Sequence, residues 1–164
     1  MLIGEVLPDG SSTRYRHDIS GRVIYEQSSV GGVTEYQWDK ADRLIYLKRA
    51  NGTSKHFAYN AYGKVTEVLD EHGNKTSYEY GENSHLVSRV INPDGTSLSY
   101  RYDNLKNFVS HITNERGETY QIDYFPNGLV SKETTFDGRS LAYTYDLNGK
   151  LLSKVETGTN GTEL

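Results

Sequence analysis

The sequence predicts an all-β repeat protein, in which about seven two-stranded β-hairpin repeats form one coiled antiparallel sheet. Three observations lead to this fold class. An aromatic pair recurs every 21 or 22 residues, each repeat carries two turn signals, and no stretch shows helical periodicity with caps. A fixed period of this length is typical of architectures in which each repeat buries its apolar face against its neighbours.

The aromatic pair consists of two residues that flank a single intervening residue, as in Tyr100-Arg101-Tyr102. Successive pairs are separated by 21, 21, 21, 22, 22 and 21 residues, and twelve of the fourteen positions are aromatic. Because side chains alternate along a strand, both members of a pair are expected on one face of the sheet. The pairs are Tyr15 and His17, Tyr36 and Trp38, Phe57 and Tyr59, Tyr78 and Tyr80, Tyr100 and Tyr102, Ile122 and Tyr124, and Tyr143 and Tyr145.

The first turn signal of each repeat is a glycine four or five residues before the pair. Its predecessor is often Asn or Asp, and we expect Asn-Gly and Asp-Gly to form hairpin turns because both residues tolerate a positive φ. These glycines are Gly10, Gly32, Gly52, Gly73, Gly95, Gly117 and Gly138.

The second turn signal lies four residues after the second aromatic. It is Gly21, Gly63, Gly128 and Gly149 in four repeats, and Asp42, Ser84 and Lys106 in the other three. An Asp that directly follows the pair, as at Asp18, Asp39, Asp103 and Asp146, is expected to open this turn by accepting hydrogen bonds from its own backbone. In the return segment, the position two residues after this turn signal is always apolar, at Val23, Leu44, Val65, Leu86, Phe108, Val130 and Leu151.

These signals divide the chain into a single array with regular boundaries. The predicted repeats are 1–21, 22–42, 43–63, 64–84, 85–106, 107–128 and 129–149, followed by a partial repeat at 150–164.

Composition excludes several functional classes. Only 35% of residues are hydrophobic and the mean hydropathy is −0.71, which suits a sheet better than a large globular core. A net charge of −4 with both signs scattered favours neither nucleic acid nor an anionic membrane surface. The chain has no Cys, no signal peptide and no apolar run of the roughly 18 residues that span a bilayer, so we predict no membrane insertion.

No motif points to catalysis, to a metal or to a cofactor. The five His occur singly at different phases of the repeat, and no nucleophile elbow, phosphate loop or paired carboxylates are present. We therefore predict a protein that is not an enzyme. The repeated aromatics allow two interpretations, since they can pack between neighbouring strands or form exposed rows that bind glycans at a cell surface.

The repeat resembles the YD repeat of the Rhs family, which includes bacterial Rhs toxins, shell components of insecticidal toxin complexes and the animal teneurins. The stretch from Tyr143 to Leu151 follows the pattern Tyr-x-Tyr-Asp-x-x-Gly-Lys-Leu throughout, while 57–65 and 100–108 follow it with substitutions. The resemblance covers residues 3 to 157.

The resemblance implies a β-sheet ribbon that spirals into a shell or cocoon around a C-terminal toxin domain. On this reading the chain is a piece of a longer shell, and its partners are the remaining YD repeats and the enclosed toxin. Self-association through sheet edges is a further expectation. The resemblance also implies synthesis in the cytoplasm followed by secretion.

Overall fold

The structure is a computed structural model that describes residues 2–6, 8, 11–81 and 85–159. The chain divides into two compact units, Met1–Tyr78 and Glu79–Leu164. The predicted turn glycine Gly10 and the predicted turn residue Ser84 lie outside the described residues.

The first unit is an antiparallel meander. Each strand pairs with the next strand along the chain, from β1 to β8. The strands are β1 Leu2–Val6, β2 Ser12–His17, β3 Val23–Gln27, β4 Val33–Trp38, β5 Leu44–Lys48, β6 Ser54–Tyr59, β7 Val65–Leu69 and β8 Lys75–Tyr80, of which the last two residues belong to the second unit.

The second unit follows the same plan. Its strands pair in chain order and antiparallel, from β9 to β15. They are β9 Val87–Ile91, β10 Ser97–Tyr102, β11 Val109–Asn114, β12 Thr119–Tyr124, β13 Val130–Thr134, β14 Ser140–Tyr145 and β15 Leu151–Thr157.

The predicted all-β fold class is therefore confirmed, with strands and turns but no helix among the described residues. The described residues form fifteen strands where the sequence indicated about fourteen. The additional strand is β1, which stands in the position of a return strand before the first complete repeat.

From the second repeat onward, the first turn is a three-residue loop in which only the glycine adopts a positive φ. At Gly52, for example, φ is 85° and the amide donates to the Arg49 carbonyl at 2.9 Å. The expectation that the preceding Asn or Asp shares the positive φ is wrong, because a type I turn followed by one left-handed residue needs only one such position. In the second repeat that residue is Gly31, with φ 82°, rather than the predicted Gly32.

A β-bulge follows the second turn of the repeats. The register shifts between Gln37 and Trp38, for example, so that Ile45 is the additional residue of β5. The same shift occurs in the hairpins β2–β3, β6–β7, β10–β11, β12–β13 and β14–β15. Each bulge moves later side chains of the return strand out of simple alternation, which is why their facing could not be read from the sequence.

In two repeats the hydrogen bond that closes the second turn spans one residue more than expected, and in the first of them Gly81 N donates to the Leu86 carbonyl at 3.2 Å. Asp103 N donates to the carbonyl of Phe108, and Asn107 rather than Lys106 has a positive φ, of 58°. The return strand consequently starts at Val109, which pairs with Tyr102. The return strands of these two repeats begin at Val87 and Val109, one residue after the apolar positions Leu86 and Phe108.

The two faces of each unit differ in polarity. In β2, β4, β6, β8, β10, β12 and β14 both pair residues are half-buried while the residue between them is exposed. Paired strands place their apolar residues on the same face as the pairs, as Leu47 opposite Tyr36 shows. We call this the aromatic face and its opposite the polar face. Among the described residues only Leu141 and Ser97 are buried, at 9% and 6% exposure, so neither unit contains an enclosed core.

Candidate functional site

The second residue of the aromatic pair is hydrogen-bonded to the backbone of the preceding hairpin. Its ring N–H or O–H donates to the carbonyl of the first return-strand residue, 15 positions earlier in the chain. The bond joins Trp38 Nε1 to Val23 O at 2.7 Å, Tyr59 Oη to Leu44 O at 2.7 Å, Tyr102 Oη to Val87 O at 2.8 Å and Tyr124 Oη to Val109 O at 2.8 Å.

This bond explains a restriction that is visible in the sequence. The second position holds only His, Trp or Tyr, each of which carries a ring donor, whereas the first position also accepts Phe57 and Ile122. The carbonyl accepts at the bulge, where the regular ladder of backbone bonds is interrupted. In these four repeats the second aromatic therefore stabilises the start of the return strand. In the first repeat the Nδ1 of His17 is buried and has no hydrogen-bond partner among the described residues.

The first residue of the pair bonds to a glutamate in two repeats. Tyr36 Oη donates to Glu26 Oε2 at 2.8 Å, and Tyr143 Oη donates to Glu133 Oε2 at 2.5 Å. Burial and the Glu26 bond raise the pKa of Tyr36 to about 12, and the Glu133 bond with burial raises the pKa of Tyr143 to about 12. Neither glutamate was singled out from the sequence, although each lies ten residues before its tyrosine.

The remaining pair residues are placed as follows. Tyr15 pairs with Glu26 across β2 and β3, Phe57 with Val68 across β6 and β7, and Tyr100 with Ile112 across β10 and β11. Tyr78 and Tyr80 lie in β8, and the Tyr145 ring contacts Phe125 edge-on at 6.2 Å.

The Asp that follows the pair accepts hydrogen bonds from its own turn. Asp39 Oδ1 accepts the amides of Ala41 at 2.8 Å and Arg43 at 3.0 Å, and Asp146 Oδ1 accepts those of Asn148 and Lys150, both at 2.9 Å. The hydrogen bond from the Arg43 amide lowers the pKa of Asp39 below its ordinary value. The Arg43 guanidinium lowers this pKa as well, whereas desolvation of the carboxylate acts in the opposite direction. In Asp103 the Lys106 amide is the main cause of a lowered pKa.

The turn glycines sit in the left-handed region of φ. The values are 82° at Gly21, 85° at Gly52, 79° at Gly63, 85° at Gly95, 91° at Gly128, 82° at Gly138 and 81° at Gly149.

Arginines connect successive second turns of the first unit. Arg22 bonds its own turn through Asp18 Oδ2 at 2.6 Å, and its Nη1 donates to the carbonyl of Asp39 in the following turn at 2.7 Å. Arg43 repeats the arrangement, with Nε to Asp39 Oδ2 at 2.7 Å and Nη1 to the Asn60 carbonyl at 2.9 Å. These arginines were not singled out from the sequence, although each directly follows the second turn and precedes the apolar residue of the return strand.

The described residues contain no group of three or more His, Asp or Glu side chains arranged to hold a metal ion. None of the described segments forms a helix that is long and apolar enough to cross a bilayer.

The recurring contacts define a class of protein: a β-repeat scaffold in which the repeated side chains hold each hairpin to the next. The chain belongs to the Teneurin YD-shell family, whose model matches residues 5–163. This assignment confirms the resemblance to YD repeats drawn from the sequence, and it places the chain in a family of structural shell domains. No curated protein matches the sequence.

Solved toxin complexes share the fold. A mutant Tc holotoxin pore from Photorhabdus luminescens matches with 18% identity and a TM-score of 0.72. TcdB2-TccC3 matches with 17% identity and a TM-score of 0.72, and its complex with Cdc42 matches with 17% identity and a TM-score of 0.74. Each match covers 96% of this chain but only 10% of the other, so the chain spans about a tenth of the length of these structures.

Proposed function

We propose that this chain is a non-catalytic segment of wall in a shell that encloses a toxin domain. The observation that supports the proposal most directly is the half-open aromatic face. Its apolar residues contact neighbours within the same sheet, and no second layer among the described residues covers them. Leu141 is the single buried hydrophobic side chain among the described residues. A sheet face of this kind is stabilised further when another surface covers it.

The difference between the faces predicts how the wall is oriented. The polar face carries charged and exposed residues such as Arg16, Glu35 and Lys132, whereas the aromatic face carries the pair residues and aliphatic side chains. Exposing the charged side chains to water costs little free energy, whereas exposing the aromatic and aliphatic side chains costs more. We therefore infer that the polar face is outside and that the aromatic face lines the interior. From the resemblance to toxin shells we propose also that the assembled shell is exported from the cytoplasm.

Lysines on opposite faces allow a direct test. Lys55 lies opposite Leu47 and Lys154 opposite Tyr143, so both belong to the aromatic face. Lys48 pairs with Glu35 on the polar face, as Lys132 does with Ala142. The protein is purified from its natural source under mild conditions, treated with an amine-reactive cross-linker and analysed by mass spectrometry.

The expected result is that Lys55 and Lys154 cross-link to a segment that contains no YD repeat, while Lys48 and Lys132 do not. The enclosed domain should also resist trypsin until the shell is opened with denaturant. Cross-links that are equal for both faces, or a protein that contains no other YD repeats, would contradict the proposal.

A further inference from the structure

Three of the described turns place an asparagine directly before the turn glycine. These dipeptides are Asn51-Gly52, Asn127-Gly128 and Asn148-Gly149, and their glycines have φ values of 85°, 91° and 81°. Asn-Gly is a reactive dipeptide, because glycine carries no side chain that would shield its amide nitrogen from the side-chain carbonyl carbon, Cγ, of the asparagine. Since the three sites share both the dipeptide and the turn, a difference in their reactivity must arise from the contacts around them.

The closed turn opposes the reaction at all three sites. A bond between the glycine nitrogen and Cγ closes a five-membered ring, in which this nitrogen and Cβ lie on the same side of the Cα–C bond. An asparagine at the third position of a type I turn has a ψ of about 0°, which keeps the two atoms apart. The glycine amides also donate to the carbonyl three residues earlier, at 2.9 Å in Gly52, 2.8 Å in Gly128 and 3.0 Å in Gly149. The reaction therefore requires local opening of the turn.

Two of the three asparagine side chains are tied to their turns. Asn51 Oδ1 accepts hydrogen bonds from the Thr53 amide at 3.1 Å and from Thr53 Oγ1 at 2.7 Å. Asn127 Oδ1 accepts one from the Leu129 amide at 3.1 Å. Ring closure breaks these bonds, because it turns the asparagine away from the amide two residues further on. The bonds therefore slow the reaction at both sites.

The third side chain, that of Asn148, is exposed and makes no hydrogen bond to any described residue. The amide that lies two residues further on belongs to Lys150, and it donates instead to Asp146 Oδ1 at 2.9 Å. The Asp146 carboxylate stabilises the closed turn through backbone amides only. The side chain of Asn148 is consequently free to rotate.

The hairpin that contains Asn148 also has the least support from neighbouring strands. Among the described residues β15 pairs with β14 alone, whereas the hairpins β5–β6 and β12–β13 each lie between two further strands. Leu151 and Leu152, which follow the turn, are 49% and 65% exposed. Gly128 is half-buried by contrast, and a Cβ placed on it would lie 3.1 Å from the Phe108 ring. A hairpin with one neighbour and few buried contacts opens more often.

We propose that Asn148 is a site of spontaneous deamidation and that it reacts faster than Asn51 and Asn127. The nitrogen of Gly149 bonds to Cγ of Asn148 and gives up its proton to solvent. The bond from Cγ to the side-chain nitrogen breaks, and this nitrogen takes up a proton and leaves as ammonia. Water then adds to one of the two carbonyl carbons of the cyclic imide and opens the ring. The product is aspartate or isoaspartate, and nothing is oxidised or reduced.

The modification changes both the charge and the length of the turn. Either product places a carboxylate two residues from Asp146, where like charges repel, and isoaspartate adds a methylene to the backbone. The closing bond from Gly149 N to the Asp146 carbonyl and the bulge between Thr144 and Tyr145 both adjoin this turn. Deamidation should therefore loosen the β14–β15 hairpin, which faster hydrogen exchange of the β15 amides would report.

The test is to incubate the chain in a mildly alkaline buffer and to follow deamidation by tryptic peptide mapping with mass spectrometry. The three sites fall in separate peptides, 50–55, 117–132 and 140–150, so each rate is measured in the presence of the other two. The rate at Asn148 should exceed those at Asn51 and Asn127 by about fivefold or more, the factor that one hydrogen bond supplies. A parallel incubation in urea should make the three rates similar, because the turns are then absent.

Thr53→Val tests the restraint on a neighbouring site directly. It removes the Oγ1 that donates to Asn51 Oδ1 at 2.7 Å, so the rate at Asn51 should rise while the rates at Asn127 and Asn148 stay the same. The proposal is overturned if Asn148 reacts no faster than the other two sites in the folded chain. It is also overturned if the same ratio of rates persists in urea, or if Thr53→Val leaves the rate at Asn51 unchanged.

Discussion

Tyr59→Phe isolates the hydrogen bond between a pair residue and the bulge. The substitution removes the Oη that donates to Leu44 O at 2.7 Å and keeps the ring, including the Arg43 guanidinium 4.9 Å above its centroid. A hydrogen bond makes a net contribution of about 0.5–1.5 kcal/mol to stability, and a buried acceptor left without a donor costs about 1–3 kcal/mol. Because the Leu44 carbonyl is only partly buried, water replaces much of the lost bond. We therefore expect a loss of about 1 kcal/mol.

The assay is urea unfolding, supported by hydrogen exchange of the β5 and β6 amides. The matched control is Tyr62→Phe, which alters a hydroxyl on an 81%-exposed ring three residues away and should change stability by less than about 0.5 kcal/mol. Faster exchange localised to β5 and β6 in Tyr59→Phe is the expected signature. Equal stability and equal exchange for the two variants would refute the role assigned to the ring donors.

Three other predictions concern charge and backbone conformation. The pKa of Asp39 is lowered from 3.8 in the folded state, so the unfolded chain binds the proton first as pH falls. The stability that the charged carboxylate contributes is therefore lost as pH falls through the folded pKa. Asp39→Asn should make the urea midpoint less dependent on pH below about pH 4, and an unchanged profile would contradict this. Tyr143, with its pKa raised from 10.0 to about 12, contributes stability that is complete below pH 10.0 and lost as pH rises towards 12. Glu133→Gln should lower that pKa in an ultraviolet titration, whereas no change would exclude the bond as its cause. In thermal melts, Gly52→Ala should lower the free energy of unfolding by about 1 kcal/mol, because alanine is strained at the φ of 85° that Gly52 adopts. Asn107→Gly should not lower it. The opposite order of stability for the two variants would contradict the assigned turn geometry.

Fold class and repeat positions followed from the sequence because one period carries all the local signals. The aromatic spacing and the turn glycines repeat together. The strands and turns of a repeat that lacks one of these signals can therefore be assigned from the positions of the same signals in the other repeats. The second turn beginning at Asp103 shows the limit of this reasoning. Its additional residue shifts the strand start to Val109, and nothing in the local composition distinguishes Phe108 from Val109 as the first residue of a strand.

Contacts between repeats could not be derived in the same way. The bond from Tyr59 to Leu44 and the contact of Arg43 with the Asn60 carbonyl depend on how a bulge tilts one hairpin against the next. In the sequence, the bond from Tyr59 to Leu44 was indicated only by the presence of a ring donor at every second pair position.

The fixed separation of 15 residues between ring donor and carbonyl has a consequence for how the chain tolerates changes in length. Segments such as Val23 to Trp38 and Val109 to Tyr124 keep this separation, whereas the second turns, which lie outside it, vary by one residue between Asp39 and Asp103. Among the described turns, the added residue is thus found in second turns of the second unit, while the first turns do not vary in length. A peptide tag or an added loop placed after Asp103 would therefore enter a turn whose length already varies, whereas the described first turns, such as the one that contains Gly117, all have the same length. The rim formed by the second turns is the side on which such a wall can be elaborated.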